Sequence, residues 1–157
     1  MKIGFNEAND RFCKDHSVMK DLEYCEKYGF DYIDIQSECL NRDLEAGKIT
    51  LEEMGEWFKT HHLKMLSYNA LCFFNMKQTQ EEKDAVMAEL DEIIRRCDIL
   101  GCKMIVVVPS KDMKERGLTP TRKEIREDAV AVLKEMVKKC EPHGIKLSLE
   151  FCGEPAM

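Results

Sequence analysis

The stretch IKLSLE, Ile145–Glu150, carries the fold in its alternation. Side chains of a strand point alternately to its two faces, so Ile145, Leu147 and Leu149 share one face while Lys146, Ser148 and Glu150 share the other. Four earlier runs read as strands: Lys2–Asn6 (KIGFN), Asp31–Gln36 (DYIDIQ), Leu63–Ala70 (LKMLSYNA) and Lys103–Pro109 (KMIVVVP). The fifth extends over Ile145–Cys152. Ile33 and Ile35 oppose Asp34 and Gln36 in the second run, Ile3 and Phe5 oppose Gly4 and Asn6 in the first, and Ser67 and Asn69 share a parity in the third. A sheet covered by helices on both sides calls for apolar residues on both faces. Only the fourth run meets that demand. A closed barrel accommodates the others, because its inward faces converge on one axis and its active sites lie at the C-terminal ends of the strands.

The segments between the runs have helical period and clear ends. Thr50-x-x-Glu53, Thr79-x-x-Glu82 and Thr121-x-x-Glu124 match the capping box, in which the threonine oxygen and the glutamate satisfy amides left over at a helix start. The first helix runs from Ser17 to Gly29, the second begins at Thr50, the third stops at Gly101 and the fourth near Pro142-His143-Gly144. Stripes such as Val18, Leu22 and Cys25, or Val86, Leu90, Ile93, Cys97 and Leu100, are core positions. The order βαβαβαβαβ predicts an α/β domain with a parallel sheet, either the first five βα-type units of an eight-stranded (β/α)8 TIM barrel or an open doubly wound sheet. The 157 residues form a single domain but fall about 90 short of the roughly 250 usual for such a barrel, which reads as truncation.

Composition narrows the function. The 24 basic residues are interleaved with 30 acidic ones for a net charge of −6, so no concentrated cationic face is available to neutralise phosphates, and nucleic acid is excluded as a partner. No apolar run approaches the roughly 20 residues of a membrane span. The start MKIGFNEAND lacks the zones of a signal peptide. We expect a cytoplasmic protein without a membrane partner. Eight cysteines contain no C-x-x-C pair and read as reduced thiols, several of them small core residues. Phosphate-binding glycine loops of the G-x-G-x-x-G or G-x-x-x-x-G-K-[ST] type do not occur. Glu150 is the leading candidate for a metal ligand or acid/base group, with pairing to Lys146 as the structural alternative. Asp34 reads as an interior hydrogen-bonding residue. The pair His61-His62 and His143 sit at helix ends, where cations favour the dipole; His16 lies in a loop with no partner ligand in view.

The segments MKIGFNEA, LEYCEKYGFDYIDI, WFKTHHLKMLSYNALCFFN and IKLSLEFCGEP resemble the xylose-isomerase-like barrel family of sugar isomerases and epimerases, in the branch acting on inososes. The resemblance runs through the whole chain. It implies a divalent metal ion (Zn, Mn, Mg or Co) at the barrel mouth and isomerisation of a small sugar or inosose by proton transfer beside a carbonyl. Carried over, it makes Glu150 both metal ligand and catalytic carboxylate. It sets Asn6, Gln36, Asn69, Phe73 and Phe74 around the substrate. Relatives commonly carry His after the glycine of LEF-x-G, where this chain has Glu154. The remaining metal ligands of the family come from later strands, so the chain alone is expected to be inactive. Two other readings stand beside this one: a catalytically silent half-barrel that forms a homo-oligomer through open strand edges, and, more remotely, an abasic-site endonuclease.

Overall fold

A computed structural model describes residues 1–111 and 113–151. The chain divides into two compact units, residues 1–69 with 95–104, and residues 70–94 with 105 onward. Five strands are hydrogen-bonded in chain order: β1 (Gly4–Asn6), β2 (Tyr32–Gln36), β3 (Lys64–Cys72), β4 (Met104–Val108) and β5 (Lys146–Leu149). β1 pairs with β2 and β2 with β3, both in parallel, Asn6 opposite Asp34 and Gln36 opposite Asn69. A register shift lies between Ile33 and Asp34 in the second pair. All five strands expected from the alternation are present, each shorter at one or both ends except β3, which starts one residue later and ends two residues later than expected; Cys152 lies outside the described residues. β1 and β5 end the order, and apolar side chains there are exposed: Ile3, just before β1, by 50% and Leu149 of β5 by 42%.

Helices connect the strands: α1 (Val18–Lys27), α2 (Ser37–Glu45), α3 (Leu51–Thr60), α4 (Gln80–Leu100) and α5 (Arg122–Cys140). The three capping boxes form as the spacing predicts. Thr50 and Thr121 each accept from the amide three residues on while Glu53 and Glu124 return to the threonine amide. Glu82 N donates to Thr79 Oγ1 at 3.1 Å, and Thr79 N to Glu82 Oε2 at 3.2 Å. Gly29 and Gly101 close their helices in the left-handed region, at φ 74° and 72°, which costs a residue without Cβ little. Thr121→Ala should lower stability by about 1 kcal/mol, read as a shift in the urea midpoint, because the Glu124 amide loses its acceptor and the Glu124 carboxylate loses the hydroxyl donor.

One helix is not anticipated by the periodicity. α2 follows β2 directly, and the residues it buries are Cys39, Leu40 and Asp43. An aspartate in the third stripe position hides the helical period from a hydrophobicity pattern. The first unit buries Val18, Leu22, Ile33, Ile35, Leu40, Met54, Leu63 and Tyr68; the second buries Leu71, Phe74, Leu90, Val107 and Met136. The cysteines of the helical stripes, Cys25, Cys97 and Cys140, are each at most 3% exposed. Among the described residues no helix is long and apolar enough to cross a membrane.

Candidate functional site

In the first unit the polar residues expected at strand ends meet on one sheet face. Asp34, 9% exposed, accepts from Ser67 Oγ at 2.6 Å and from Asn69 Nδ2 at 3.0 Å. Neighbouring strands in register set these side chains on the same face, so each carboxylate oxygen receives one donor and the burial cost of the charge is offset. Asp34 is thus the interior hydrogen-bonding residue its position in the strand indicates. Gln36 Nε2 reaches Asn6 Oδ1 at 3.4 Å, and Asn6 Oδ1 also accepts from Ala8 N at 2.8 Å, capping the short 3-10 turn Glu7–Asn9. Asn6 is exposed, Asn69 half-buried and Gln36 buried. Three of the expected substrate contacts therefore stand on adjacent strands of one unit with amide groups facing common space.

The second unit holds the others. β3 ends in a strained stretch: Phe73 and Met76, neither of them glycine, lie at φ 57° and 59°. Such conformations persist only where surroundings over-determine them. Here the amides of both are held: Phe73 N donates to the Val108 carbonyl at 2.7 Å, and Met76 N to the Asp128 carboxylate at 2.6 Å. Buried Asn75 accepts from Ser110 N at 2.7 Å while Ser110 Oγ returns to Asn75 O at 2.6 Å. Phe73 keeps part of its surface, with the Lys111 ammonium 5.9 Å from its ring centre. Phe74 does not. At 1% exposure it is packed into the core, on the wall of a groove of about 250 Å³ that Val86, Met87 and Val132 also line. Glu150 stands immediately past β5, its amide donating to Val107 O at 3.0 Å. It is exposed rather than held in a buried strand, since β5 has a neighbour on one side only. Glu154 lies outside the described residues.

The histidines divide. His61 stacks on Trp57 at 3.9 Å and binds the Trp57 carbonyl at 2.8 Å, and His62 contacts Asp31 at 3.2 Å, so both are structural as their helix-end position implies. His16 lies in a loop as expected, but not without partners. It is buried against Glu7, Asp10 and Asp21, with Nε2 at 3.3, 3.7 and 2.9 Å from their carboxylate oxygens. Burial pushes the Glu7 carboxyl up to about 8, and burial with the neighbouring Asp10 pushes Asp21 up to about 7. The only strand among these residues is β1, just before Glu7; the rest come from a loop and α1, where strand parity says nothing. A signal was present nonetheless, in Glu7, Asp10, His16 and Asp21 all falling within fifteen residues.

Comparison with known proteins agrees with this architecture. The curated inosose isomerases of Bacillus velezensis and Bacillus licheniformis are 36% and 38% identical to the chain over 156 and 171 aligned positions, covering 99% of it. The chain spans about half the length of these relatives, 52% and 53%. A crystal structure of the IOLI protein with a bound zinc atom superposes with a TM-score of 0.85 at 35% identity, over 99% of this chain and 53% of that one. A D-psicose 3-epimerase from Clostridium cellulolyticum, 16% identical, shares the fold at a TM-score of 0.70. Residues 22–157 match the family described as xylose isomerase-like TIM barrel, and with five strands alternating with helices in barrel order the chain belongs to that family.

Proposed function

We propose that the chain carries the N-terminal part of the active site of an isomerase acting on an inosose or a related small ketose. The observation that supports this reading most is the likeness to inosose isomerases along 99% of the chain. In this reading Glu150, exposed at the end of β5, is a ligand of a divalent metal ion and one of the carboxylates that move a proton between adjacent carbons. A carboxylate with open surface fits both roles, since it can reach a cation and a substrate C–H without first being uncovered. When bound, the metal supplies charge stabilisation for an enediolate. Asn6, Gln36 and Asn69 offer amide donors and acceptors to substrate hydroxyls, and Phe73 an apolar wall; Phe74 supports the loop from within the core. Buried Asp34 orients Asn69 by accepting from its amide, leaving the Asn69 carbonyl oxygen for a hydroxyl.

The family draws further ligands from strands beyond this chain's span. The 157-residue chain is therefore expected to show no turnover of 2-keto-myo-inositol with Zn, Mn, Mg or Co, while a longer chain continuing through those strands turns it over and loses at least about a hundredfold in rate on Glu150→Gln. Undiminished turnover by the Glu150→Gln variant would remove the assignment. A small molecule, rather than a nucleic acid or a membrane, is the partner this reading calls for. Edges exposed at β1 and β5 support a second reading, association with a further copy through those strands, for which a concentration-dependent mass by light scattering is the test.

A further inference from the structure

We infer that Asp10, His16 and Asp21, with Glu7 beside them, form a binding site for a divalent first-row transition-metal cation, separate from the carboxylate at Glu150. The donor atoms of Asp10, His16 and Asp21 lie within 4.8 Å of one another. What points to a cation is that none of these inward-facing atoms meets a partner in hydrogen-bond geometry. Glu7 Oε1, Asp10 Oδ1, Asp21 Oδ2 and His16 Nε2 are all buried atoms without a hydrogen-bond partner, and the His16 side chain is 1% exposed. The 2.9 Å approach of Nε2 to Asp21 is close in distance but not in hydrogen-bond geometry. Three carboxylates turned inward on one another repel, and buried polar atoms left without partners cost several kcal/mol together.

The spacing suits a metal. Donors about 2.0–2.2 Å from zinc stand roughly 3.3–3.5 Å apart at the corners of a tetrahedron, and about 2.9 Å apart along an octahedral edge. The Nε2 distances to Glu7, Asp10 and Asp21, 3.3, 3.7 and 2.9 Å, fall around these values. Imidazole with carboxylates is a donor set taken by zinc and its neighbours in the first transition row. Asp10, with a side chain 31% exposed, leaves a way in from solvent. The remaining Glu7 oxygen, Oε2, accepts from Gln36 N at 2.7 Å and so fixes the carboxylate.

Arg42 sets a condition. Its Nη2 lies against His16 Nδ1, where it donates to a ring nitrogen that must then be unprotonated. A metal on Nε2 needs the opposite tautomer, with the proton on Nδ1, so the guanidinium end has to turn away. Its side chain is 44% exposed and its Nε is anchored on Asp43 at 3.3 Å, which leaves the outer amines able to do so. Arg42 is thus a brake on binding, through its charge and through the tautomer it selects.

The test is calorimetric titration of the chelator-stripped 157-residue chain with Zn²⁺ and Co²⁺, folding of each variant being checked by circular dichroism. One equivalent should bind to the parent chain and to Glu150→Gln alike. His16→Asn and Asp21→Asn should weaken binding by more than about tenfold. Arg42→Gln, altered at an exposed side chain, should strengthen it several-fold even if the buried variants fail to fold. Binding that Glu150→Gln abolishes, or that Arg42→Gln leaves unchanged, would overturn the proposal without touching the isomerase reading. So would a protonated-carboxyl infrared band that persists at saturating zinc, since the cluster would then be holding a shared proton.

Discussion

Asp43→Ala is expected to destabilise the chain by about 2–3 kcal/mol, the largest effect of a single side chain outside the apolar core. Asp43 lies on α2 with its carboxylate 1% exposed, yet it does the work of a cap for α1. Ser17 occupies the N-cap of α1 but its side chain makes no capping bond; Val18 N donates instead to Asp43 Oδ2 at 2.9 Å. A negative charge at that end also complements the helix dipole. Oδ1 takes Lys48 Nζ at 2.9 Å and Arg42 Nε at 3.3 Å. Lys48 and Arg42 are 49% and 44% exposed and can return to water, so the loss falls mainly on the buried Val18 amide and the cavity. Asp43→Asn, which keeps an acceptor for Val18, should recover part of the loss.

The same group predicts a pH dependence. Burial pushes the Asp43 carboxyl up, but the Lys48 ammonium, the Val18 amide and the Arg42 guanidinium outweigh it and hold the group below the ordinary aspartate range. A carboxyl depressed in the folded state contributes stability that is present above the unfolded value, near 3.9, and is lost as pH falls through the folded one. The gap in urea midpoint between the parent and Asp43→Asn should therefore be widest near neutral pH and shrink below about pH 4. A gap that stays constant into acid would show that the ionised carboxylate is not the stabilising species.

Gly55→Ala should destabilise by about 1–3 kcal/mol, against the gain of up to about 1 kcal/mol that alanine ordinarily brings to a helix interior. Gly55 is a buried residue of α3, and a Cβ built there would stand 2.6 Å from the Ile99 carbonyl oxygen and 3.3 Å from its Cγ2. The first neighbour is backbone near the end of α4 and cannot rotate aside, so one of the two helices has to shift. Thermal melts of the two proteins decide the sign. A raised Tm in Gly55→Ala would mean that α3 and α4 accommodate the methyl.

The strands and most helices were legible because each rests on a local rule. Parity marked β1, β2 and β5, and the threonine–glutamate boxes marked the starts of α3, α4 and α5 to within a residue. α2 escaped because its inward stripe includes Asp43, a charge whose partners, Val18, Arg42 and Lys48, are supplied by folding. Phe74 shows the converse limit. Adjacent to Phe73 and equally aromatic, it differs only in what covers it, and sequence carries no measure of cover.

The sequence by itself determined the alternation of strands and helices, the capping boxes and the polar face shared by Asn6, Asp34, Gln36, Ser67 and Asn69, since these depend on backbone period and neighbouring residues. Only the tertiary structure decided that Glu7, Asp10, His16 and Asp21 converge, that Asp43 caps a helix other than its own, and that Glu150 stands exposed. Those facts depend on how far apart segments pack, and burial, which sets the energy of every charge among them, exists only once the chain has folded.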